Sequence, residues 1–382
     1  MMTINQPTKS KMKHSFMDTT IRRVITGLGV VAITTTLCTV PVKSFAVDSS
    51  TATTAYNDFN SVFLDSAGSG YKSSAGASGT SYDYFWAQAE DIELVIDHYE
   101  FTKGSTEKNL FSTMCNTFIS KYSDTWIASD TWNDDLGRSA DMLTRAYIIT
   151  GTASYLTQAK YCFDTAYQRG WDTKYNGGGI YEQMGVANPE KQALSTLSCG
   201  YAAALIATVD SAYLNHATNI YAWARSHLFN PSTGQVYNGV YTNGTTDTGS
   251  TTSNQGSMID YARLLYKITG NSQYFNDATA SLTYTKANHA DSSGFIDSCA
   301  AQFSRGMGHF VVDNNLWNTT FGSGTSYYSW MWTNCNTGWG HRDTSYNVTW
   351  NKIGSQTTVD TTAEPYTYEG VPSLLQYTFM PH

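Results

Sequence analysis

The chain has 382 residues, with 23 lysines and arginines against 31 aspartates and glutamates, which gives a net charge of −8. An acidic protein repels phosphate backbones, so the charge excludes nucleic acid as the expected partner. Charged and aromatic residues each make up 14% of the chain, a composition that favours a neutral ligand. A polysaccharide or oligosaccharide fits, because sugar C–H faces stack on aromatic rings while sugar hydroxyls hydrogen-bond to polar side chains.

Residues 1–46 have the pattern of an export signal. Basic residues precede an apolar stretch over 24–40, and Ser44 and Ala46 place small residues at the −3 and −1 positions of a signal-peptidase site. A membrane anchor is the alternative, but threonines interrupt the stretch and it is short for a stable span. We therefore predict cleavage after Ala46 and a secreted or cell-surface protein, with no membrane span once the signal is removed.

Twelve segments after the signal have apolar residues at helical spacing. No Pro-rich, Gly/Ser-rich or charged linker divides them, so residues 47–382 are predicted to form one domain, and a monomer is expected. The segments lie near 54–64, 84–99, 108–122, 135–149, 154–168, 191–209, 212–228, 255–269, 273–288, 300–317, 325–333 and 369–379.

Two of these segments end in similar sequences, an internal repeat that indicates repeated helical hairpins. Residues 145–151 (RAYIITG) match residues 264–270 (LLYKITG), and each run ends at a glycine suited to the left-handed residue that follows a helix. Hairpins that repeat in this way stack into a closed ring or an open solenoid. The connections over 169–190, 229–253 and 338–365 are too long for a regular solenoid. We therefore predict an all-α fold, an (α/α)6 barrel of helical hairpins, with these Gly-, Asn- and Trp-rich connections as the rim of a site.

The cysteines and histidines indicate neither a disulfide framework nor a metal site. Five cysteines remain after the signal, an odd number without CxxC pairs, and the eight histidines show no HxxH or HExxH spacing. No metal and no cofactor is expected. The sequence leaves a Cys299–Cys335 bridge open, while Cys115, Cys162 and Cys199 are predicted to be small buried residues in helices.

Asp134 and Asp135 are the candidate catalytic residues. Apolar periodicity begins directly after them, which places the pair at the start of a helix, and Trp132 and Asn133 precede it. An acidic first helical turn with no other role is the alternative, since the helix dipole favours aspartate there. Glycosidic cleavage needs one ionised and one protonated carboxyl group, and neighbouring like charges raise the pKa of one of them. Adjacent aspartates at a helix start favour the short carboxyl separation of retaining enzymes over that of inverting ones.

Four segments taken together resemble glycoside hydrolase family 76, the α-1,6-mannanases. They are similar to the family's early helix, its Asp-Asp motif, its glycine turn and its Asn-Gln-Gly helix start, in that order, and the resemblance spans most of residues 80–315. It implies an (α/α)6 barrel and a retaining, endo-acting mechanism, with Asp134 as nucleophile and Asp135 as acid/base. The segments are 84–93 (YFWAQAEDIE), 132–151 (WNDDLGRSADMLTRAYIITG), 177–181 (GGGIY) and 252–256 (TSNQG).

Departures from the family pattern bear on the substrate. Tyr181 and Glu182 stand where the family has paired tryptophans, and the tryptophans expected soon after the Asp pair are replaced around Gly137 and Arg138. The family's Lys-Asn-Ala segment reads KQA over 191–193. The main prediction is a secreted retaining hydrolase of α-linked mannan. A cell-wall glycan transglycosylase, or a non-catalytic glycan-binding protein on the same scaffold, is the alternative.

Eight further residues are candidates for substrate binding, and each has a structural alternative. The aromatic residues either stack on sugar or pack in the core, the amides either bind hydroxyls or cap helices, and the arginine either contacts substrate or ends its helix. Glu93 is expected to face solvent, Glu90 is a weaker site candidate, and Asp141 is interpreted as a helix-face residue. The eight candidates are Trp86, Trp132, Asn133, Tyr181, Asn254, Gln255, Arg305 and Trp330.

Overall fold

Thirteen α-helices make up most of the chain that the computed structural model describes, which comprises residues 46–79, 81–291, 293–322 and 324–381. Twelve of them correspond to the twelve predicted segments, so the predicted all-α class is confirmed. The additional helix has six residues, of which only Ile127 is buried, and it is too short to show an apolar period. The helices are α1 (Ser49–Phe63), α2 (Phe85–Thr102), α3 (Ser105–Lys121), α4 (Asp124–Ser129), α5 (Asn133–Thr150), α6 (Ala153–Gly170), α7 (Ala193–Ala207), α8 (Leu214–His227), α9 (Thr252–Thr269), α10 (Ser272–Asn288), α11 (Ala301–Asp313), α12 (Tyr327–Gly340) and α13 (Gly370–Thr378).

Six of these helices form a closed inner ring. Around the ring α2 contacts α5, α5 contacts α7, α7 contacts α9, α9 contacts α11, α11 contacts α13, and α13 returns to α2. The helices α1, α3, α6, α8, α10 and α12 form the outer layer. Inner and outer helices therefore alternate along the chain, which is the predicted (α/α)6 barrel.

The two ends of the barrel differ in the length of their connections. Most connections from an inner helix to the next outer helix are short. Two of them begin at the left-handed residues Gly151 (φ 72°) and Gly270 (φ 70°), as the internal repeat predicts. Outer helices lead into the next inner helix through longer connections, among them 64–84, 171–192 and 341–369. The N-terminal ends of the inner helices therefore lie at the face that carries the long loops, which is the predicted rim.

Two small antiparallel sheets lie in the connections. In one of them β2 (Gly239–Tyr241) pairs with both β1 (Glu190–Gln192) and β3 (Thr246–Asp247), which ties the loop before α7 to the loop before α9. In the other, β4 (Thr320–Phe321) pairs with β5 (Thr325–Ser326). The sequence pattern predicts no strands here, because two or three residues are too few to show alternation.

All five cysteines in the described residues are buried free thiols. The Cys299 thiol lies 3.1 Å from the hydroxyl of Ser304, and the Cys335 thiol lies 3.4 Å from that of Thr378. No bridge therefore joins Cys299 to Cys335, an arrangement that the sequence leaves open. The other three thiols lie in α3, α6 and α7, in agreement with the prediction of buried helical cysteines.

The predicted signal lies almost entirely outside the described residues, since only Ala46 of residues 1–46 is described. Cleavage after Ala46 stays a prediction, and so does the single domain that would follow it. Val47 is buried, and its carbonyl accepts a hydrogen bond from the Trp332 indole (3.2 Å), which fixes the chain to α12 directly after the predicted cleavage point. None of the described helices is both long and apolar enough to cross a membrane.

The backbones of α9 and α11 meet at Gly256 and Gly306. A Cβ atom at Gly256 would lie 2.3 Å from the Cα atom of Phe303, and one at Gly306 would lie 2.3 Å from the Gly256 carbonyl oxygen. Both obstacles are backbone atoms, which cannot rotate away as a side chain can. This close approach joins two neighbours of the inner ring.

Replacing Gly256 by alanine is expected to lower the free energy of unfolding by about 1–3 kcal/mol, because the added methyl group forces α9 and α11 apart. Chemical denaturation followed by circular dichroism measures the change. Gly340→Ala at the end of α12 is the matched control, since a Cβ atom there meets nothing within 4 Å. Equal effects of the two substitutions would contradict the close-approach interpretation.

Candidate active site

Asp134 and Asp135 are the second and third residues of α5, at the rim of the barrel. The helix begins at Asn133, and its N-cap, Trp132, has an extended backbone and makes no side-chain capping bond. Neither aspartate is thus the cap; both lie in the first turn, where the helix dipole stabilises negative charge. Each residue is only 5% exposed, so the two carboxyl groups are largely shielded from bulk water.

Asn133 fixes the start of this helix. Its backbone N–H donates to the Glu182 carbonyl (2.9 Å), and its side-chain amide donates to the Tyr181 carbonyl (2.7 Å). Its amide oxygen accepts a hydrogen bond from Arg169 Nε of α6 (2.7 Å). Asn133 is fully buried, so the predicted contact between its amide and a substrate would require these bonds to break. In the structure the residue holds the Asp pair to the loop before α7.

The glycine turn over 177–179 lies against two tryptophan rings. Its three glycines have φ values of 69°, 150° and 86°, which side chains rarely adopt. A Cβ atom at Gly178 would lie 2.9 Å from the ring of Trp171, and one at Gly179 would lie 2.5 Å from the ring of Trp223. Glycine is required here both by the backbone conformation and by the close contact.

Lys191 and Tyr181 hold this turn in place. The buried Lys191 ammonium donates to the carbonyls of Asp172 (2.5 Å), Tyr175 (2.5 Å) and Gly178. Burial lowers the pKa of Lys191 to about 8. The Tyr181 hydroxyl donates to the Asp172 carboxylate (2.5 Å). Tyr181, a predicted substrate-binding residue, is thus buried and bonded within its own loop.

One face of α5 leads from the Asp pair into the barrel axis. Asp134, Arg138, Asp141 and Arg145 follow one another at intervals of three or four residues, so their side chains lie along the same side of the helix. The last three line a cavity that is partly open to solvent. Asp134 lies one turn before Arg138, at the rim end of this face. The lining comprises Glu90, Glu93, Arg138, Asp141, Arg145, Leu194, Ser198, Tyr201, Ser257, Asp260, Gln302 and Arg305.

The cavity opens toward the rim and is closed by buried side chains further along the axis. Leu194 and Gln302 are the second residues of α7 and α11, and both are partly exposed. Lining residues from later turns, among them Glu93, Asp141 and Tyr201, are buried. A ligand that enters from the loop face would therefore meet the end of the cavity that lies nearest the Asp pair.

Three acidic residues of α2 neutralise arginines of two other inner helices. Glu90, Glu93 and Asp97 lie on one face of α2, at spacings of three and four residues. Each of them pairs with Arg305 of α11, at N–O distances of 3.3, 2.6 and 3.1 Å respectively. Glu93 and Asp97 also pair with Arg145 of α5, at 3.3 and 2.8 Å. Glu93 is buried by these contacts, so the expectation that it faces solvent is wrong.

Arg305, a predicted substrate-binding residue, lines the cavity and is engaged by these carboxylates. Burial alone would lower its pKa, but the charges of Glu93 and Asp97 outweigh burial and hold the pKa above its ordinary value. The guanidinium is therefore charged in the barrel axis. Removing one member of such a buried pair typically costs about 3–5 kcal/mol, because the partner is left as an uncompensated charge.

A second charged cluster surrounds His309 of α11. Its Nδ1 atom lies 2.9 Å from the Asp260 carboxylate, and its Nε2 atom lies 3.4 Å from Glu100 and 2.8 Å from the Tyr377 hydroxyl. Arg263 pairs with the same Asp260 side chain at 2.5 Å. Burial disfavours the protonated imidazole, but Asp260 and Glu100 outweigh burial and raise the pKa of His309 to about 9. The ring is therefore charged at neutral pH.

Trp86 and Trp132 lie at the rim, at the starts of α2 and α5. The Arg138 guanidinium carbon lies 5.6 Å from the centre of the Trp86 ring, and Tyr366 packs against that ring at 4.8 Å between centres. Trp132 is partly exposed and pairs with Gln183 through a backbone bridge. Both tryptophans are therefore placed where a substrate would approach, and their stacking role stays a prediction.

Three further predicted binding residues contact other side chains of the protein or are buried in its outer layer. The Asn254 amide donates to the side chain of Asn238 in a rim loop (3.2 Å). Gln255 is fully buried and lies 2.5 Å from the hydroxyl of Ser281 on the outer helix α10. Trp330 is buried on the outer helix α12. Gln255 and Trp330 are thus directed into the outer layer, and neither is among the described residues that line the cavity.

The interpretation of the sequence misses most of the cavity lining, although one signal for it is present. Four of the five residues over 92–96 (IELVI) are apolar, so α2 has apolar side chains on several sides and is predicted to be buried. A charged residue on such a helix needs a buried counter-charge or a cavity. Glu93 of α2 is therefore expected to line a cavity or to pair with a buried counter-charge.

Comparison with known proteins gives the family and the fold. The sequence profile of Glycosyl hydrolase family 76 matches residues 47–321. No curated protein sequence matches the chain significantly. Among solved structures, the α-1,6-mannanase of Salegentibacter sp. HEL1_6 has a TM-score of 0.75 at 18% identity, covering 87% of this chain and 99% of that one. That structure is an inactive variant, in which two consecutive aspartates are replaced by alanine, bound to α-1,6-mannotetraose.

Two further solved structures are similar over most of the chain. The family 76 mannosidase Bt3792 of Bacteroides thetaiotaomicron has a TM-score of 0.70 at 19% identity, covering 86% of this chain and 96% of that one. Dfg5 of Chaetomium thermophilum, in complex with glucosamine, has a TM-score of 0.69 at 14% identity, covering 86% and 89%. At these identities the likeness is one of fold, and it confirms the (α/α)6 barrel.

Because His309 is charged in the folded protein, its contribution to the free energy of unfolding is expected to be lost as the pH rises. Its pKa is raised from 6.5 to about 9 on folding, so its contribution is fully present below pH 6.5 and is lost as the pH rises through 9. Wild type should exceed His309→Gln in unfolding free energy by up to about 3 kcal/mol at pH 6, and the difference should narrow between pH 6.5 and pH 9 and be lost above pH 9.

Chemical denaturation at a series of pH values measures this gap. His227→Gln is the matched control, because the His227 ring contacts Ser226 and the Trp223 carbonyl instead of carboxylates. A gap for His309→Gln that stays constant from pH 6 to pH 10 would show that the ring is neutral in the folded protein.

Proposed function

The chain belongs to glycosyl hydrolase family 76, and from this premise we propose that it is a retaining, endo-acting hydrolase of α-1,6-linked mannan. Asp134 is the proposed nucleophile and Asp135 the proposed acid/base. The observation that carries the assignment is the position of the two aspartates. They are buried side by side in the first turn of an inner helix, on the rim of the barrel.

Two observations support the choice of this pair. Asp134 and Asp135 are the one place in the sequence where two aspartates are consecutive. The inactive variant of the Salegentibacter mannanase was made by replacing two consecutive aspartates, and it holds α-1,6-mannotetraose. Because the two barrels share one fold, we take the consecutive pair of this chain as its counterpart.

The proposed reaction proceeds in two steps. In the first, the Asp134 carboxylate attacks the anomeric carbon and forms a glycosyl ester, while the Asp135 carboxylic acid protonates the leaving glycosidic oxygen. In the second, Asp135, now ionised, takes a proton from water, and that water releases the sugar from Asp134. Burial of the pair limits the access of bulk water to the two reacting carboxyl groups.

The proposed substrate is inferred from the similar solved structures and from the tryptophans at the rim of the barrel. The Salegentibacter enzyme binds an α-1,6-linked mannose oligomer, and the Bacteroides relative is a mannosidase. The partly exposed Trp132 and Trp86 offer rings on which neutral sugars could stack.

Export is also part of the proposal. The basic segment, the apolar stretch and the small residues before Val47 support cleavage after Ala46 and action on glycans outside the cytoplasm. N-terminal sequencing of protein from the culture medium should give Val47 as the first residue. Recovery of the chain only from cells, with residues 1–46 attached, would contradict export.

Asp134→Asn and Asp135→Asn are each expected to reduce kcat on α-1,6-mannan by roughly 10³-fold or more, since each removes a group that acts in the transition state. Folding should be retained, because asparagine has nearly the same shape. Release of reducing sugar measures activity, and thermal unfolding checks the fold.

Asp124→Asn is the matched control, because Asp124 also lies in a first helical turn but is exposed on α4. Full activity of both pair variants would refute the assignment. Mass spectrometry of the wild-type products separates the alternatives: chains longer than the substrate indicate a transglycosylase, and binding without any product indicates a glycan-binding protein.

A further inference from the structure

Three buried polar atoms of the residues that line the cavity have no hydrogen-bond partner among the described residues. One of them, Nη1 of Arg145, forms an ion pair with Glu93. The other two, the Nε–H of Arg138 and the Oδ1 atom of Asp141, have no such contact. Asp141 is 7% exposed, and both residues line the cavity. Buried polar atoms in folded proteins nearly always have a partner. Two such atoms on one cavity wall therefore indicate a ligand that supplies the missing bonds.

Arg138 and Asp141 are neighbours on the wall that α5 contributes. They lie three residues apart, which places their side chains one turn apart on the same side of the helix. Glu90 pairs with the Nη1 end of the Arg138 guanidinium, and the ring of Trp86 lies against it. The guanidinium is thereby held in place, and its Nε–H is left for a ligand.

The groups around Asp141 affect the protonation of its carboxyl group and thereby the hydrogen bonds that it can form. Burial raises the pKa of Asp141 well above its ordinary range, and the charges of Glu93 and Asp260 add to this effect, against the opposing charges of Arg138 and Arg145. These effects favour the protonated, carboxylic acid form of Asp141. In that form it can donate one hydrogen bond and accept others, whereas Arg138 can only donate.

We propose that Arg138 and Asp141 bind two adjacent hydroxyl groups of one sugar unit of the substrate, beside Asp134. A vicinal diol matches the pair, because one hydroxyl oxygen accepts from Arg138 while the other exchanges a donor and an acceptor with Asp141. The ligand class is a neutral sugar with adjacent free hydroxyls. The inference rests on the proposed function and adds to it the residues that bind two hydroxyl groups of the sugar. One of them, Arg138, stands where this chain departs from the family pattern.

Binding measurements in an inactive background test the pair. In Asp135→Asn protein, isothermal titration calorimetry gives the Kd of α-1,6-mannotetraose without turnover. Adding Asp141→Leu or Arg138→Gln should weaken binding roughly tenfold or more, since either change leaves a sugar hydroxyl without its partner. Adding Asp141→Asn should keep Kd within about threefold, because the amide can both donate and accept.

The rescue by asparagine separates binding from a structural role. If Asp141 only supported packing, Asp141→Leu would lower the unfolding temperature without a matching change in Kd. Asp164→Asn on the outer helix α6 is the control that should leave both quantities unchanged. Should Asp141→Leu fail to fold, Asp141→Ala and Arg138→Gln carry the same expectation.

Values of Kd within about twofold of the parent for Asp141→Leu, Asp141→Ala and Arg138→Gln would overturn the proposal, since water would then satisfy the two groups as well as substrate does. Failure of the proposed function has a different signature. It would appear as full activity of Asp134→Asn and Asp135→Asn on mannan, whatever the cavity variants bind.

Discussion

The barrel depends on the pairing of buried charges along its axis. An ion removed from water is costly unless an opposite charge accompanies it. Here α2 supplies most of the carboxylates and α5 and α11 supply the arginines, so charge is balanced only when segments distant in sequence meet. Arg305 alone pairs with four carboxylates, three on α2 and the fourth, Glu369, directly before α13. An axis built in this way cannot collapse like an apolar core, because each charged group must keep its partners. A polar cavity therefore stays open within the ring of inner helices.

The same pairing positions the two aspartates. Arg145, three turns into α5, is held by Glu93 and Asp97, while Asn133 fixes the first turn to the rim loop and to α6. A helix restrained near both ends has little freedom to shift along the axis. The carboxyl groups of its first turn are therefore held in place before a substrate arrives, and such preorganisation is a main source of catalytic power in enzymes.

Most of the fold could be predicted from the sequence, because each hairpin carries its own apolar period and two of them carry a helix-ending glycine, at Gly151 and Gly270. The Asp pair and its helix start could be predicted for the same local reasons. The partners of Glu93 and Gln255 could not. Whether a polar side chain faces water, a cavity or a counter-charge depends on which helices become neighbours in the ring, and no local pattern contains that information. A polar face predicts solvent only when the helix lies in the outer layer.

A covalent glycosyl-enzyme on Asp134 is the most direct consequence of the proposed retaining mechanism. A fluorinated α-mannobioside with a reactive leaving group should form this ester faster than water breaks it. Peptide mass spectrometry of the treated protein should then place one glycosyl group on Asp134, and Asp134→Asn protein should remain unlabelled. Label on another residue, or a first product with inverted anomeric configuration, would contradict the mechanism.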